Sequence, residues 1–266
     1  MPISVHGGDL RALTQDEFHA VDRVVMGITF KVHNQFGRLL DELLYKREIA
    51  TRCMEAGLLS EREVKVKVSY RTFVKEYFVD LLLSRGVIFE VKAADVLNPV
   101  HESQALNYLF LTGTRFGKLI NLRPDRVQWR FISTGLTPES RKKLVVIDRE
   151  WCECSPKVSW LKNTMTMLLL EWGAFLELNL YREALIHFLG GPEAVVRPIE
   201  LYSDNRMIGL QEVDLLTEDT AFVLTSLNDS KGMRIHLRKF LLHTPLRWMQ
   251  WINLNHHQIE FTTLAK

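Results

Sequence analysis

Residues 80–92 read Asp-Leu-Leu-Leu-Ser-Arg-Gly-Val-Ile-Phe-Glu-Val-Lys, two apolar runs joined by Ser84-Arg85-Gly86. A turn segment between two such runs predicts a β-hairpin. Asp80 stands on the first strand, and Glu90 and Lys92 end the second. Alternation puts residues i and i+2 on one face, so Glu90 and Lys92 point the same way and Val91 turns into the core. Two carboxylates and an amine then converge where a divalent metal and a phosphate can sit. Mg²⁺ takes hard oxygen ligands and keeps waters for attack on a phosphodiester. A lysine beside it can orient that water or offset the developing charge. The plainer alternative is a solvated Glu90–Lys92 salt bridge, since surface pairs of this kind are common and weak. Against it stands the continuous apolar run Val87-Ile88-Phe89, because charges in a buried strand are costly unless used.

The surrounding pattern predicts a mixed α/β fold. Thr14-Gln-Asp-Glu17 resembles a capping box, and Val21, Val24, Val25, Ile28 and Val32 follow at helical spacing. A second helix is expected from about Leu39 to Met54, ending near Gly57. Residues 63–70, 73–82 and 87–93 read as strands. Pro99 opens a helix through Leu111 that Thr112-Gly113 stops. Phe116–Asn121 and Val127–Ile132 read as two further strands.

Here the chain resembles a known group. Asp80, then Glu90-Val-Lys92, then Gln104-Ala-Leu-Asn-Tyr108 is similar to the Asp…Glu-x-Lys and Gln-x-x-x-Tyr pattern of the PD-(D/E)xK nuclease superfamily. More narrowly, Gly37-Arg-Leu-Leu-Asp41-Glu42-Leu-Leu-Tyr45, Leu97-Asn-Pro99-Val-His101 and Gly117-Lys-Leu-Ile-Asn121 resemble the GxxExxY family within it. The resemblance spans about residues 20–135. The namesake glycine falls on Leu39, while Glu42 and Tyr45 are kept, which bears on helix packing near Leu39. The resemblance implies a restriction-endonuclease-like mixed sheet flanked by helices and a Mg²⁺- or Mn²⁺-dependent nuclease. Asp80, Glu90 and the Val91 carbonyl would hold the metal, with Glu42 beside them as a direct or supporting ligand. Lys92 would position the water or offset charge, or else only support Glu90. Gln104 would lie in the site. Tyr108 would bond a phosphate or merely pack, and His101 has a capping role open to it as well as a chemical one.

The second half repeats features of the first. Phe36-Gly37 through Tyr45 matches Trp172-Gly173 through Tyr181, and Val79-Asp80-Leu-Leu matches Val213-Asp214-Leu-Leu. His101 matches His236, and Leu119-Ile-Asn-Leu122 matches Trp251-Ile-Asn-Leu254. Four matches in order at similar offsets predict a tandem duplication: a nuclease-like domain over 14–135, a linker over 136–156 and a second copy over 157–266. The same offsets set Leu224 and Ser226 against Glu90 and Lys92, Lys239 against Gln104, His243 against Tyr108 and Leu178 against Glu42. The second copy therefore keeps Asp214 alone, and one carboxylate cannot replace three or four oxygen ligands. The expected whole is a pseudodimer with one active and one degenerate copy.

Charge bears on the partner. Residues 1–150 hold 23 Lys/Arg against 19 Asp/Glu, net +4, and residues 151–266 hold 11 against 13, net −2. Arg115, Lys118, Arg123, Arg126 and Arg130, interleaved with Phe116, Trp129 and Phe131, suit a surface that tracks a nucleic-acid backbone, most simply DNA; a solvated basic linker is the alternative. RNA stays open, as does a silent nuclease fold kept to bind nucleic acid or a protein partner. Self-association through the degenerate half is a further expectation. Three cysteines, Cys53, Cys152 and Cys154, are too few for a disulfide scaffold or a four-thiolate iron–sulfur cluster, and they fit a reducing cytoplasm. Residues 1–9 lack the basic start and apolar core of a secretory leader. Met165–Leu170 is too short an apolar run to span a bilayer.

Overall fold

Thr14 begins the first long helix as its capping box predicts. The Glu17 amide donates to Thr14 Oγ1 at 3.3 Å, and the Thr14 amide donates to Glu17 Oε2 at 2.8 Å. The resulting α1 (Gln15–Phe36) buries Phe18, Val21, Val25, Ile28 and Val32 along one stripe. It stops at Gly37, whose φ of 69° is left-handed. The structure, a computed structural model, describes residues 2–7, 10–204 and 206–266. It divides into two compact units, Met1–Pro138 and Glu139–Lys266.

In the first unit, β1 (Ile3–Val5), α1, α2 (Glu42–Glu55), β2 (Ser60–Tyr70), β3 (Phe73–Leu83), β4 (Val87–Lys92), α3 (Pro99–Thr112), β5 (Phe116–Asn121) and β6 (Gln128–Ser133) follow in order. The sheet order is β1-β2-β3-β4-β5-β6. Only β4 and β5 run parallel, joined by α3; every other neighbouring pair is antiparallel. Tyr45 on α2 donates its hydroxyl to the Gly37 carbonyl at 2.7 Å and accepts from the Leu40 amide at 3.3 Å, which fixes the bend between α1 and α2. Tyr45, Ile49 and Cys53 on α2 pack with α1 against Leu81, Leu83, Val87, Phe89, Val91 and Ile120 of the sheet. The β3–β4 turn holds Ser84 and Arg85 at φ 49° and 57°. Gly86 is required there, because a Cβ would lie 2.4 Å from the Arg11 carbonyl oxygen.

A short α4 (Pro138–Arg141) spans the boundary. The second unit continues with β7 (Val145–Glu150), α5 (Pro156–Trp172), α6 (Leu178–Phe188), α7 (Pro192–Val195), β8 (Val196–Ser203), β9 (Arg206–Thr217), β10 (Thr220–Thr225), α8 (Lys231–Leu242), β11 (Trp248–Asn255) and β12 (Gln258–Ala265). Its sheet runs β7-β12-β11-β10-β9-β8. Here β10 and β11 are parallel across α8, and β8–β9, β9–β10 and β11–β12 are antiparallel. The pairing scheme β8 to β12 is thus that of β2 to β6. The units differ in their sixth strand: β1 adds to β2, whereas β7 adds parallel to β12. Residues 136–156, expected as a linker, instead include α4 and β7, and β7 completes the second sheet by pairing Val145, Val146 and Ile147 with Gln258, Ile259 and Glu260. Among the described residues no helix is long and apolar enough to cross a membrane.

Candidate active site

The ladder between β3 and β4 is short. It joins Leu83 to Val87, Leu82 to Ile88 and Leu81 to Phe89. Beyond it the Val91 amide donates to Asp80 Oδ2 at 2.9 Å, so a carboxylate takes the place of a backbone carbonyl where the strands part. On the other side of β3, Glu63 falls opposite Asp80, between the pairs Arg62–Leu81 and Val64–Val79. Glu63 leaves the ladder with φ 50°, a left-handed conformation that a non-glycine residue holds only under strain.

Val87, Phe89 and Val91 face the core under α1 and α2. Alternation turns Glu90 and Lys92 together to the opposite face. Glu90 is 1 % exposed and Asp80 4 %. Lys92 Nζ donates to Glu90 Oε1 at 2.8 Å. Glu90 Oε2 is buried with no hydrogen-bond partner, a costly state for a carboxylate oxygen. Burial therefore pushes the Glu90 carboxyl up to about 8; the charge of Asp80 adds to this and Lys92 opposes it. Burial raises Asp80 as well, against the pull of Lys46 and the Val91 amide.

Lys46 is the residue that sequence reasoning missed. It lies one turn along α2 from Glu42, with its ammonium on Asp80 Oδ1, 3.0 Å from Glu42 Oε1 and 3.6 Å from Glu63 Oε1. Burial alone would lower its pKa, but the hydrogen bonds and charges of Asp80 and Glu42 outweigh that and hold it above its ordinary value. Glu42 Oε2 accepts from the Ala93 amide at 3.3 Å, which ties the start of α2 to the end of β4. The Glu42–Lys46 spacing of four was visible in the sequence, but there it reads as an ordinary surface helix pair. Among the described residues, no three His, Cys, Asp or Glu side chains form a ready-made metal cage.

The other expected residues divide. Gln104 donates to the Tyr108 hydroxyl at 3.1 Å, and Tyr108 is buried edge-on to Tyr77. His101 caps α3: its amide donates to Asn98 Oδ1 at 3.1 Å and its Nδ1 accepts from the Asn98 amide at 3.3 Å. Lys118, expected on a nucleic-acid surface, turns inward. It is 5 % exposed, 2.7 Å from Asp22 Oδ2 and 4.4 Å from the Trp129 ring centre, so its charge is already taken. Arg123 binds the Ala93 and Arg38 carbonyls at 3.3 and 3.0 Å. Arg115, Arg126 and Arg130 are exposed, as are Trp129 and Phe131 on β6.

The second unit supplies a contrast at the same places. Tyr181 donates to the Gly173 carbonyl, as Tyr45 does to Gly37. Asn253 Nδ2 donates to the Leu227 carbonyl at 3.0 Å and its Oδ1 accepts from the Leu227 amide at 2.9 Å. Asn121 makes the same two bonds with Ala94, at 2.7 and 3.0 Å. Arg182, the fifth residue of α6 as Lys46 is of α2, grips Asp214 through Nε and Nη2, each at 2.6 Å. Counted from the strand starts, Val223 and Thr225 take the places of Glu90 and Lys92. Leu224 and Ser226, which the sequence offsets indicate, lie one position later. Such a slip exchanges the faces of a strand.

Residues 19–131 match the model of the PD-(D/E)XK nuclease superfamily. The match runs from α1 to β6 and contains Glu42, Lys46, Asp80, Glu90, Lys92 and Gln104. This part of the first unit is thus similar to a superfamily whose members are generally phosphodiester-hydrolysing nucleases and typically use divalent metal ions. No curated protein matches the chain. The solved structure titled "Crystal structure of SSO0001" is similar at 18 % identity over 44 % of this chain and 67 % of that one, with a TM-score of 0.25.

Proposed function

We propose that the chain is a metal-dependent DNA endonuclease or nickase with one active site, in the first unit. The observation that carries this reading is the unpartnered, buried Glu90 Oε2 beside Asp80, where β3 and β4 part, with Lys92 held on the same carboxylate. The donors at hand are hard oxygens, which suit Mg²⁺ or Mn²⁺. Asp80 and Glu90 would hold the ion, with the Val91 carbonyl and Glu42 completing the set. Bound there, a divalent ion would supply Lewis acidity and a more acidic water. Lys92 orients the attacking water or offsets charge on the phosphate. Gln104 and Tyr108 stand on α3 as a supporting pair, and His101 sets the start of that helix. Arg115, Arg126 and Arg130, with Trp129 and Phe131, offer exposed cations and rings to a DNA backbone and its bases.

In this reading the second unit is a degenerate tandem copy, and the first is a member of the GxxExxY group. The common pairing scheme, the two Tyr–Gly bonds, the two Asn clamps and the two helix-cation–aspartate pairs support a duplication. Tyr45 and Glu42, both in structural use, support the narrower likeness. With Val223 and Thr225 where Glu90 and Lys92 would stand, the second copy lacks metal donors, so the chain cuts one strand per encounter. Its role would be to hold substrate or to meet a protein partner or a second copy of the chain. Free thiols at Cys53, Cys152 and Cys154 fit a cytoplasmic setting.

The test is cleavage of supercoiled, nicked, linear and single-stranded DNA and of RNA with Mg²⁺ or Mn²⁺, comparing wild type with Lys92→Ala. Metal-dependent nicking that the variant loses supports the reading. Absence of cutting on every substrate, with equal metal-independent binding by both proteins, replaces it with a nucleic-acid-binding module.

A further inference from the structure

Resting on the reading of the first unit as a metal site, we propose that Lys46 is a tethered cation that occupies the carboxylate cluster in the metal-free protein and must swing out for a divalent ion to bind. Its ammonium is surrounded by oxygens from three elements: Asp80 on β3, Glu42 on α2 and Glu63 on β2. Only 12 % of its side chain is exposed. The ammonium offsets repulsion among these acids, yet it leaves Glu90 Oε2 unpartnered although Glu90 is 1 % exposed. The cluster is therefore one donor richer than its resident cation can use. A divalent ion held by Asp80 and Glu90 would compete with Lys46 for the Asp80 carboxylate, whose other oxygen accepts from the Val91 amide. Two cations a few ångströms apart with low solvent access repel strongly, so one excludes the other. Lysine suits such exchange: it is a point charge on a flexible four-carbon stem that can reach water without moving the helix.

The second unit shows the same helix position committed the other way. Arg182 uses two nitrogens on both oxygens of Asp214, each at 2.6 Å. A planar fork paired in this manner is specific and slow to give up its carboxylate. The residue at this position thus sets whether the strand aspartate is available: lysine lends it, arginine keeps it.

The experiment is calorimetric titration of the full, EDTA-stripped chain with MnCl₂, for wild type, Lys46→Met and Lys46→Arg, each first shown folded by circular dichroism. Expected are Mn²⁺ binding at least about tenfold tighter in Lys46→Met and at least about tenfold weaker in Lys46→Arg. A second measurement needs no variant: the rate at which acetic anhydride acetylates Lys46 in wild type, read by peptide mass spectrometry. It should be slow in EDTA and rise several-fold with saturating Mn²⁺. Wild type that binds Mn²⁺ while Lys46→Met binds it no tighter, or while Lys46 labelling does not change, overturns the tethered cation and leaves the metal site standing. Absence of Mn²⁺ binding by wild type and by folded Lys46→Met removes the metal site itself and this proposal with it.

Discussion

The two units share a framework and differ in what they hang on it. In each, a tyrosine hydroxyl closes onto a glycine carbonyl at the helix–helix bend, and an asparagine on the fifth paired strand clamps the chain leaving its neighbour. In each, a helix cation meets a strand aspartate. The first unit adds Glu90 and Lys92 on β4 and accepts an unpartnered carboxylate oxygen in its interior. The second has Val223 and Thr225 there, and Thr225 Oγ1 donates to Asn253 Oδ1 at 2.8 Å while accepting from Trp251 Nε1 at 2.8 Å. At this pair of strand positions the first unit leaves a buried carboxylate oxygen unpaired, whereas the second pairs its hydroxyl on both sides. An unpaired carboxylate oxygen is the costliest kind of buried polar atom to leave without a partner, and it lies beside Asp80 and Lys92.

The largest expected effect breaks that comparison on activity. Asp80→Asn should lower metal-dependent cleavage at least about a hundredfold, because in the proposed mechanism Asp80 would be a charged metal ligand. Asp214→Asn should leave cleavage within about twofold. Initial nicking rates on supercoiled plasmid decide it, and a large loss from Asp214→Asn in a folded protein would give the second unit a chemical role. Next in size are the clamps. Asn121→Ala and Asn253→Ala each leave a part-buried amide and carbonyl without their side-chain partner, so each should destabilise its own unit by about 1–2 kcal/mol. Urea unfolding checks this, and similar losses in both would support a common framework.

Much of the framework could be read from residues in sequence order. The α1 capping box, the Ser84–Gly86 turn, the Pro99 start and the Gly113 stop of α3 are local signals, and each marks an element boundary in the structure. What escaped notice depended on pairing at a distance. β7 has six exposed residues and no apolar alternation; it is a strand because β12 offers it an edge. The offset between the matched segments of the two units differs by one at β10, where a register shift between Thr220 and Ala221 interrupts its ladder with β9. Lys118 reads as a surface cation until Asp22, 96 positions earlier, takes it inward. Lys46 was hidden for the same reason, since nothing local tells an exposed Glu–Lys helix pair from one that reaches a strand. Asp80, Glu90 and Lys92 were legible because strand alternation is short-range.

The smallest expected effect is in pH dependence, and it sharpens the contrast between the units. The Glu90 carboxyl is held at about 8 in the folded chain, against an ordinary value of 4.5 in the unfolded one. Below about pH 4.5 it is protonated in both states and costs nothing. Between 4.5 and 8 the unfolded chain releases the proton and the folded chain keeps it, so stability falls as pH rises; above 8 the penalty is constant. Asp80 is shifted in the same direction and adds to the slope. In EDTA the first unit should therefore lose on the order of 1–3 kcal/mol between pH 5 and 8. Glu90→Gln should flatten that loss, because the amide carries no charge to bury. Thermal unfolding at half-unit pH steps provides the measurement, with Asp214→Asn as the matched change in the second unit. An equal slope in wild type and Glu90→Gln would mean that Glu90 is already paired in solution, and an unpaired carboxylate on β4 would no longer set the first unit apart from Val223 on β10.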